Sequence, residues 1–186
     1  MTPDIEYAEK LLDRFSSHAL WNALQAIVDH PQQELRVETP YVNVGQAHAM
    51  DASLLGLSAA QPGSLANTSQ MAHFKNKNIK WRFLNVYDRR IVRYDNTIAN
   101  RFAAYFVRYA IRLLRPLVAM LSQDDEASEM VPEFLRIIGR LNGVLTQMAE
   151  SFKYASLDEM PIDHPFLQFD PRYHIILKTY LECENG

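Results

Sequence analysis

Apolar side chains recur along this chain in two rhythms, and the rhythm changes near Thr97. Over residues 4–29, Leu11, Leu12, Phe15, Leu20, Leu24, Ile27 and Val28 keep a helical spacing. Ser16-Ser17 suggests a break into two helices, and Asp29-His30-Pro31 stops the run. Leu35 and Val37, then Val42 and Val44, alternate on either side of Pro40. That pattern fits two short strands, or one strand interrupted at its edge. Residues 45–79 are the least regular, with a Pro-Gly turn signal at 62–63 and a short helix expected over 52–57. "IKWRFLNVYDRRIVRYDN", 79–96, alternates and is rich in aromatic and β-branched residues. It predicts a hairpin turning at Asp88-Arg89-Arg90.

From Thr97 the period becomes 3.6. Phe102, Phe106, Tyr109, Leu113 and Leu117 form one stripe, with an N-cap in the preceding Asp-Asn-Thr. After an acidic link at 122–130, Pro132 opens a second long helix striped by Phe134, Ile138, Leu141, Leu145, Met148 and Phe152. A short link between two amphipathic helices predicts an antiparallel pair. A last helix starts at Pro171 and carries Tyr173, Ile176, Leu177 and Tyr180. The expected fold is mainly α (α+β): a helical bundle built on a long antiparallel helix pair, with a small β-hairpin. The reading is one domain over 1–186: N-terminal helices (1–30), strands, loop and hairpin (34–95), and a helical part (97–186).

Composition narrows the class without naming a chemistry. The chain has 186 residues, 48% of them hydrophobic and 22% charged, ordinary values for a globular protein with a sizeable core. Its apolar runs are far shorter than the ~20 residues a bilayer demands, and the start does not read as a secretory signal. No membrane association and a cytoplasmic location are the plain expectations. Cys183 is the single cysteine, so no internal disulfide and no cysteine-based zinc site can form.

Charge changes the picture more. The net charge is −3, yet residues 75–115 hold eleven Lys or Arg against Asp88 and Asp95, a local +9. Within that stretch Arg101, Arg108, Arg112 and Arg115, with Tyr105 among them, fall within about 60° of one another on a helical wheel. One reading is a solvated face whose arginines pair with Asp124, Asp125 or Glu126. The other is a docking surface for phosphates or an acidic protein, because a guanidinium fork donates two parallel hydrogen bonds to a phosphate. Lys75, Lys77, Lys80, Arg82, Arg89, Arg90 and Arg93 extend that candidate surface, and Trp81, Phe83, Tyr87 and Tyr94 interleave with them as stacking platforms would.

Catalytic patterns are absent from the sequence. The six histidines are scattered, and there is no HExxH, phosphate loop, GxGxxG turn or GxSxG elbow. His48 and Asp51 in "HAMD" could share a helical turn, a pairing that is usually incidental. No catalytic residue, metal ligand or cofactor is assigned.

The order of features resembles the region upstream of the PD-(D/E)XK nuclease domain in McrC-like restriction proteins of bacteria. That region reads "YDT" then "ENRF" at a helix start, matched here by Tyr94, Asp95, Thr97, Asn100, Arg101 and Phe102. Asn96 is an apparent insertion, and Ala99 replaces the usual Glu. Pro171, Arg172 and Tyr173 match a later Pro–x–Tyr–Arg-like turn loosely. The resemblance runs from about residue 20 to the end. It implies a nuclease subunit of antiphage defence, paired with an AAA+ GTPase or ATPase motor, whose cutting residues lie in a domain beyond Gly186. On that expectation the chain is a fragment, a split subunit or a degenerate relative that does not cut DNA itself. Its contacts would then be DNA or the motor. In it Asp95 or Thr97 caps the helix, and Asn100 and Arg101 fix the hairpin to the first turn. The alternative expectation is a protein-interaction module whose cations meet an AAA+ motor or another acidic partner without nucleic acid.

Overall fold

A computed structural model describes residues 5–48, 50–68, 72–76, 79–124, 127–152, 154–157 and 159–185. The chain sorts into two compact units, Leu35–Tyr94 and the remainder.

The helical unit is mainly α, as its periodicity predicts. Helices α1 (Ile5–Ser16) and α2 (His18–Asp29) break at Ser17, where the Trp21 indole N–H donates to the Phe15 carbonyl (2.7 Å). Helix α4 (Ile98–Leu121) begins at Thr97, whose side chain accepts from the Asn100 N–H. Helix α5 (Val131–Ser151) starts with Pro132 in its first turn, and α7 (Pro171–Glu184) is capped by Asp170, which accepts from the Arg172 N–H. A short α6 (Pro165–Phe169) forms where the sequence reads as loop.

Helix α4 is the centre of the unit. Ala99, Phe102, Ala103, Ala104, Phe106, Val107, Ala110, Ile111, Leu114, Leu117 and Leu121 are all buried, so little more than one stripe of it meets water. Alanines on that helix let its neighbours approach closely, and each buried Phe or Leu contributes about 1.5–3 kcal/mol. Helices α4 and α5 run antiparallel: Arg101 near the start of α4 meets Ser156 beyond the end of α5, while Arg115 shares a groove with Asn142. The buried line of α5 is Phe134, Ile137, Leu141, Val144 and Met148. It is shifted about one residue from the predicted stripe, leaving Ile138 and Leu145 half-buried.

The strand unit overturns one expectation. Its strands are β1 (Glu34–Glu38), β2 (Tyr41–Asn43), β3 (Leu65–Asn67), β4 (Phe74–Asn76), β5 (Ile79–Phe83), β6 (Asn85–Tyr87) and β7 (Arg90–Tyr94), with helix α3 (Ala52–Ala60) between β2 and β3. No hairpin turns at Asp88-Arg89-Arg90: β6 pairs antiparallel with β2, β7 pairs with β1, and a three-stranded sheet has the order β3-β5-β4. The small hairpin is β4–β5 instead. Asp88 explains the difference. It is fully buried, bridges to Met50, and accepts from the His48 N–H (3.2 Å), so this stretch is held by residues 40 positions earlier and cannot sit in water as a turn.

Candidate nucleic-acid interface

The four arginines of α4 divide between two environments. Arg101 is half-buried, and its guanidinium donates to the Ser156 carbonyl from Nε (3.1 Å) and again from Nη2. That is a correction to its place on an open face. Tyr105 is corrected too: it packs against Tyr109 (6.4 Å between ring centres) and Tyr180 (6.1 Å) in an aromatic cluster of the fold.

Arg108, Arg112 and Arg115 are exposed. With Ile111 of α4 and Asn142 and Leu145 of α5 they line an open groove of about 390 Å³. Arg108 lies over the Tyr154 ring (4.9 Å), and Arg112 Nε reaches the Arg108 carbonyl (3.4 Å). Among the described residues none of the three forms an ion pair. Asp124, offered as a partner, instead accepts from the Ala127 N–H (3.1 Å), and Asp125 and Glu126 lie outside the described residues. Pro116, one residue on, has no N–H to donate to the Arg112 carbonyl. The groove therefore offers three charged forks on a floor from Ile111 and Leu145. Such an arrangement suits an anion with several acceptor oxygens.

The motif residues at the start of α4 serve the fold. Asn100 is fully buried; its amide donates to the carbonyls of Gln32 (2.8 Å) and Asp95 (2.7 Å). Its oxygen accepts from the Gln32 N–H (3.1 Å) and from the Tyr173 hydroxyl. Arg172 grips Asp170 (2.8 Å) and donates to the His30 carbonyl (2.6 Å). That guanidinium, hydrogen-bonded to Asp170, holds the carboxyl below its usual range. Burial pushes the Tyr173 phenol up to about 12. Asn96 accepts from the Ala155 N–H (2.9 Å), Thr97 caps, and Phe102 is buried. Asn100 thus fastens the 30–32 segment and the Asp95 carbonyl just after β7, and Arg101 fastens the 156 segment; the hairpin expected at 88–90 is not there for them to hold. Sequence reasoning missed this network; an Asn beside a helix cap and a Tyr after Pro-Arg were its only traces.

The cations of the strand unit also have mixed fates. Arg89 pairs with Asp51 (3.3 Å), which caps α3, and Arg90 is half-buried with its Nε out of water. His48 and Asp51 share no helical turn; His48 Nδ1 meets Asp88 instead (3.1 Å). Lys80, Arg82 and Arg93 are exposed, while Lys77 lies outside the described residues. Tyr94 stacks under Arg36 (3.3 Å). Among the described residues no three His, Cys, Asp or Glu side chains gather to hold a metal ion, and no helix is long and apolar enough to cross a membrane. Comparison with protein-family models, curated proteins and solved structures finds no match for this chain.

Proposed function

We propose that this chain is a non-catalytic, DNA-contacting domain of a McrC-like bacterial restriction system, and that the α4–α5 groove rests on DNA phosphates. One observation carries the reading: Arg108, Arg112 and Arg115 are exposed around a single groove, with no carboxylate neutralising them among the described residues. Unpaired guanidinium groups keep their full charge for a partner, and phosphate is the anion their fork fits best. The family part of the proposal rests on the "YDNTIANRF" and "PRY" segments, which meet in the fold through Asn100 and Tyr173. Binding measured on duplex DNA at two salt concentrations tests it. A steep loss of affinity with salt is expected, about 0.9 in log–log slope per phosphate contact. A flat response contradicts it.

The apolar floor of the groove favours a second reading, an acidic segment of an AAA+ motor seated on Ile111 and Leu145 between the same arginines. Pull-down of such a motor, abolished by Arg112→Glu while DNA affinity stays unchanged, selects that reading.

A further inference from the structure

In an antiparallel pair, residues directly opposite each other bring their Cβ atoms to about 5 Å, and like charges placed there repel. Lys75 of β4 stands directly opposite Lys80 of β5. Arg82 follows two residues later on the same face, opposite Ala66 of β3, which offers it no partner. All three cations are exposed. The pleat puts Trp81 and Phe83 on the other face, with Phe74 and Leu65 as their cross-strand neighbours. One side of the sheet is thus aromatic and the other carries only positive charge.

Among the described residues of the unit no carboxylate neutralises that side. Residues 35–94 contain three acids, Glu38, Asp51 and Asp88, against eight Lys or Arg. Asp88 is buried against His48, and Asp51 is held by Ser53 and Arg89. Among the described residues none of the three acids pairs with Lys75, Lys80 or Arg82. Arg82 also lines a pocket of about 280 Å³ with Asn43 and His73. The His73 Nδ1 accepts the Phe83 N–H (2.9 Å), so its Nε2 carries a hydrogen and is a further donor. A sheet that faces two lysines at one register position, with no acid beside them, gives up stability unless an anion occupies the gap.

We propose that the Lys75–Lys80–Arg82 face of the β3-β5-β4 sheet is a second phosphate-backbone contact for nucleic acid, separate from the α4–α5 groove. This rests on the reading that the partner is DNA. Having no aromatic side chain on that face, the sheet grips backbone and does not stack bases, so its binding is blind to sequence.

The test is Lys80→Glu, which turns the facing pair from repulsive to attractive, with a Lys75→Gln/Lys80→Gln variant as a milder control. Affinity for a 20-base-pair duplex is measured against salt, beside thermal unfolding. The expected result is opposite movement of the two readouts. The Lys80→Glu midpoint rises by about 1–4 °C, while DNA affinity falls and the salt slope drops by at least about 0.9. The double glutamine variant weakens binding with a slope lower by about 1.8. Unchanged DNA affinity overturns the proposal whatever the midpoint does, because the face then makes no phosphate contact. So does loss of poly-glutamate binding with DNA binding intact, which assigns the face to an acidic protein. If Lys80→Glu weakens DNA binding and Arg108→Ala/Arg112→Ala does not, this proposal stands and the groove reading falls; the reverse pattern does the opposite.

Discussion

Two stretches of α4 carry arginine at helical spacing and use it in opposite ways. In the first turn, Arg101 spends its donors on the Ser156 carbonyl, beside Asn100, whose amide meets Gln32, Asp95 and Tyr173. Two turns on, Arg108, Arg112 and Arg115 meet an open groove and no carboxylate among the described residues. The helix face is nearly the same; the neighbours differ. Chain crosses over the first turn at 30–32 and 154–157, so donors there are taken up by the backbone carbonyls of Gln32, Asp95 and Ser156. Over the middle of that face Arg108 meets only the Tyr154 ring, and Asn142 and Leu145 of α5 leave the cations exposed. A periodic row of one residue type is therefore not one site. Its members are sorted by what the rest of the chain lays against them.

The two stretches differ most at Asn100. Replacing it with Ala leaves two carbonyls, an N–H and a hydroxyl without their shared partner, and is expected to cost about 3 kcal/mol in urea unfolding. A loss below about 1 kcal/mol would make the first turn as dispensable as the middle.

Tyr173→Phe removes one member of that network and is expected to cost about 1.5 kcal/mol. It also changes the alkaline limit. The folded phenol is raised to about 12 by burial, above the ordinary value near 10. Its contribution is therefore complete below about pH 10 and is lost as pH climbs through about 12. Stability measured across that window should fall less steeply in Tyr173→Phe than in the parent.

Smaller effects separate the arginines themselves. Arg101→Ala is expected to cost about 1 kcal/mol, since it frees a backbone acceptor in a partly exposed place. Arg112→Ala should stay within about 0.5 kcal/mol. Equal costs for the two would erase the distinction drawn from their surroundings.

What was legible in the sequence follows the same division between near and far partners. The break at Ser16-Ser17, the Thr97 cap, and the helix starts at Pro132 and Pro171 all depend on residues within one turn, and each is found where the pattern predicts it. The strands near 34–44 and 79–94 were legible as strands, because alternation is local. Their pairing was not. Tyr41 finds Tyr87 and Val42 finds Val86 across more than 40 residues, and no local pattern shows that Asp88 will be buried. The aromatic and basic residues of β5 interleave in sequence yet separate in space, because a strand sends alternate side chains to opposite faces. The tie that holds Arg101 was hidden for a similar reason: its acceptor lies 55 residues away in an irregular segment that carries no periodic signal.

On the proposed reading the exposed arginines of mid-α4 hold DNA phosphates and Arg101 does not. The slope of log affinity against log salt on duplex DNA, taken for the parent, Arg101→Ala and Arg108→Ala/Arg112→Ala, tests it most directly. A slope smaller by about 1.8 is expected for the double variant, and an unchanged one for Arg101→Ala. A double variant whose slope and affinity equal the parent's contradicts it.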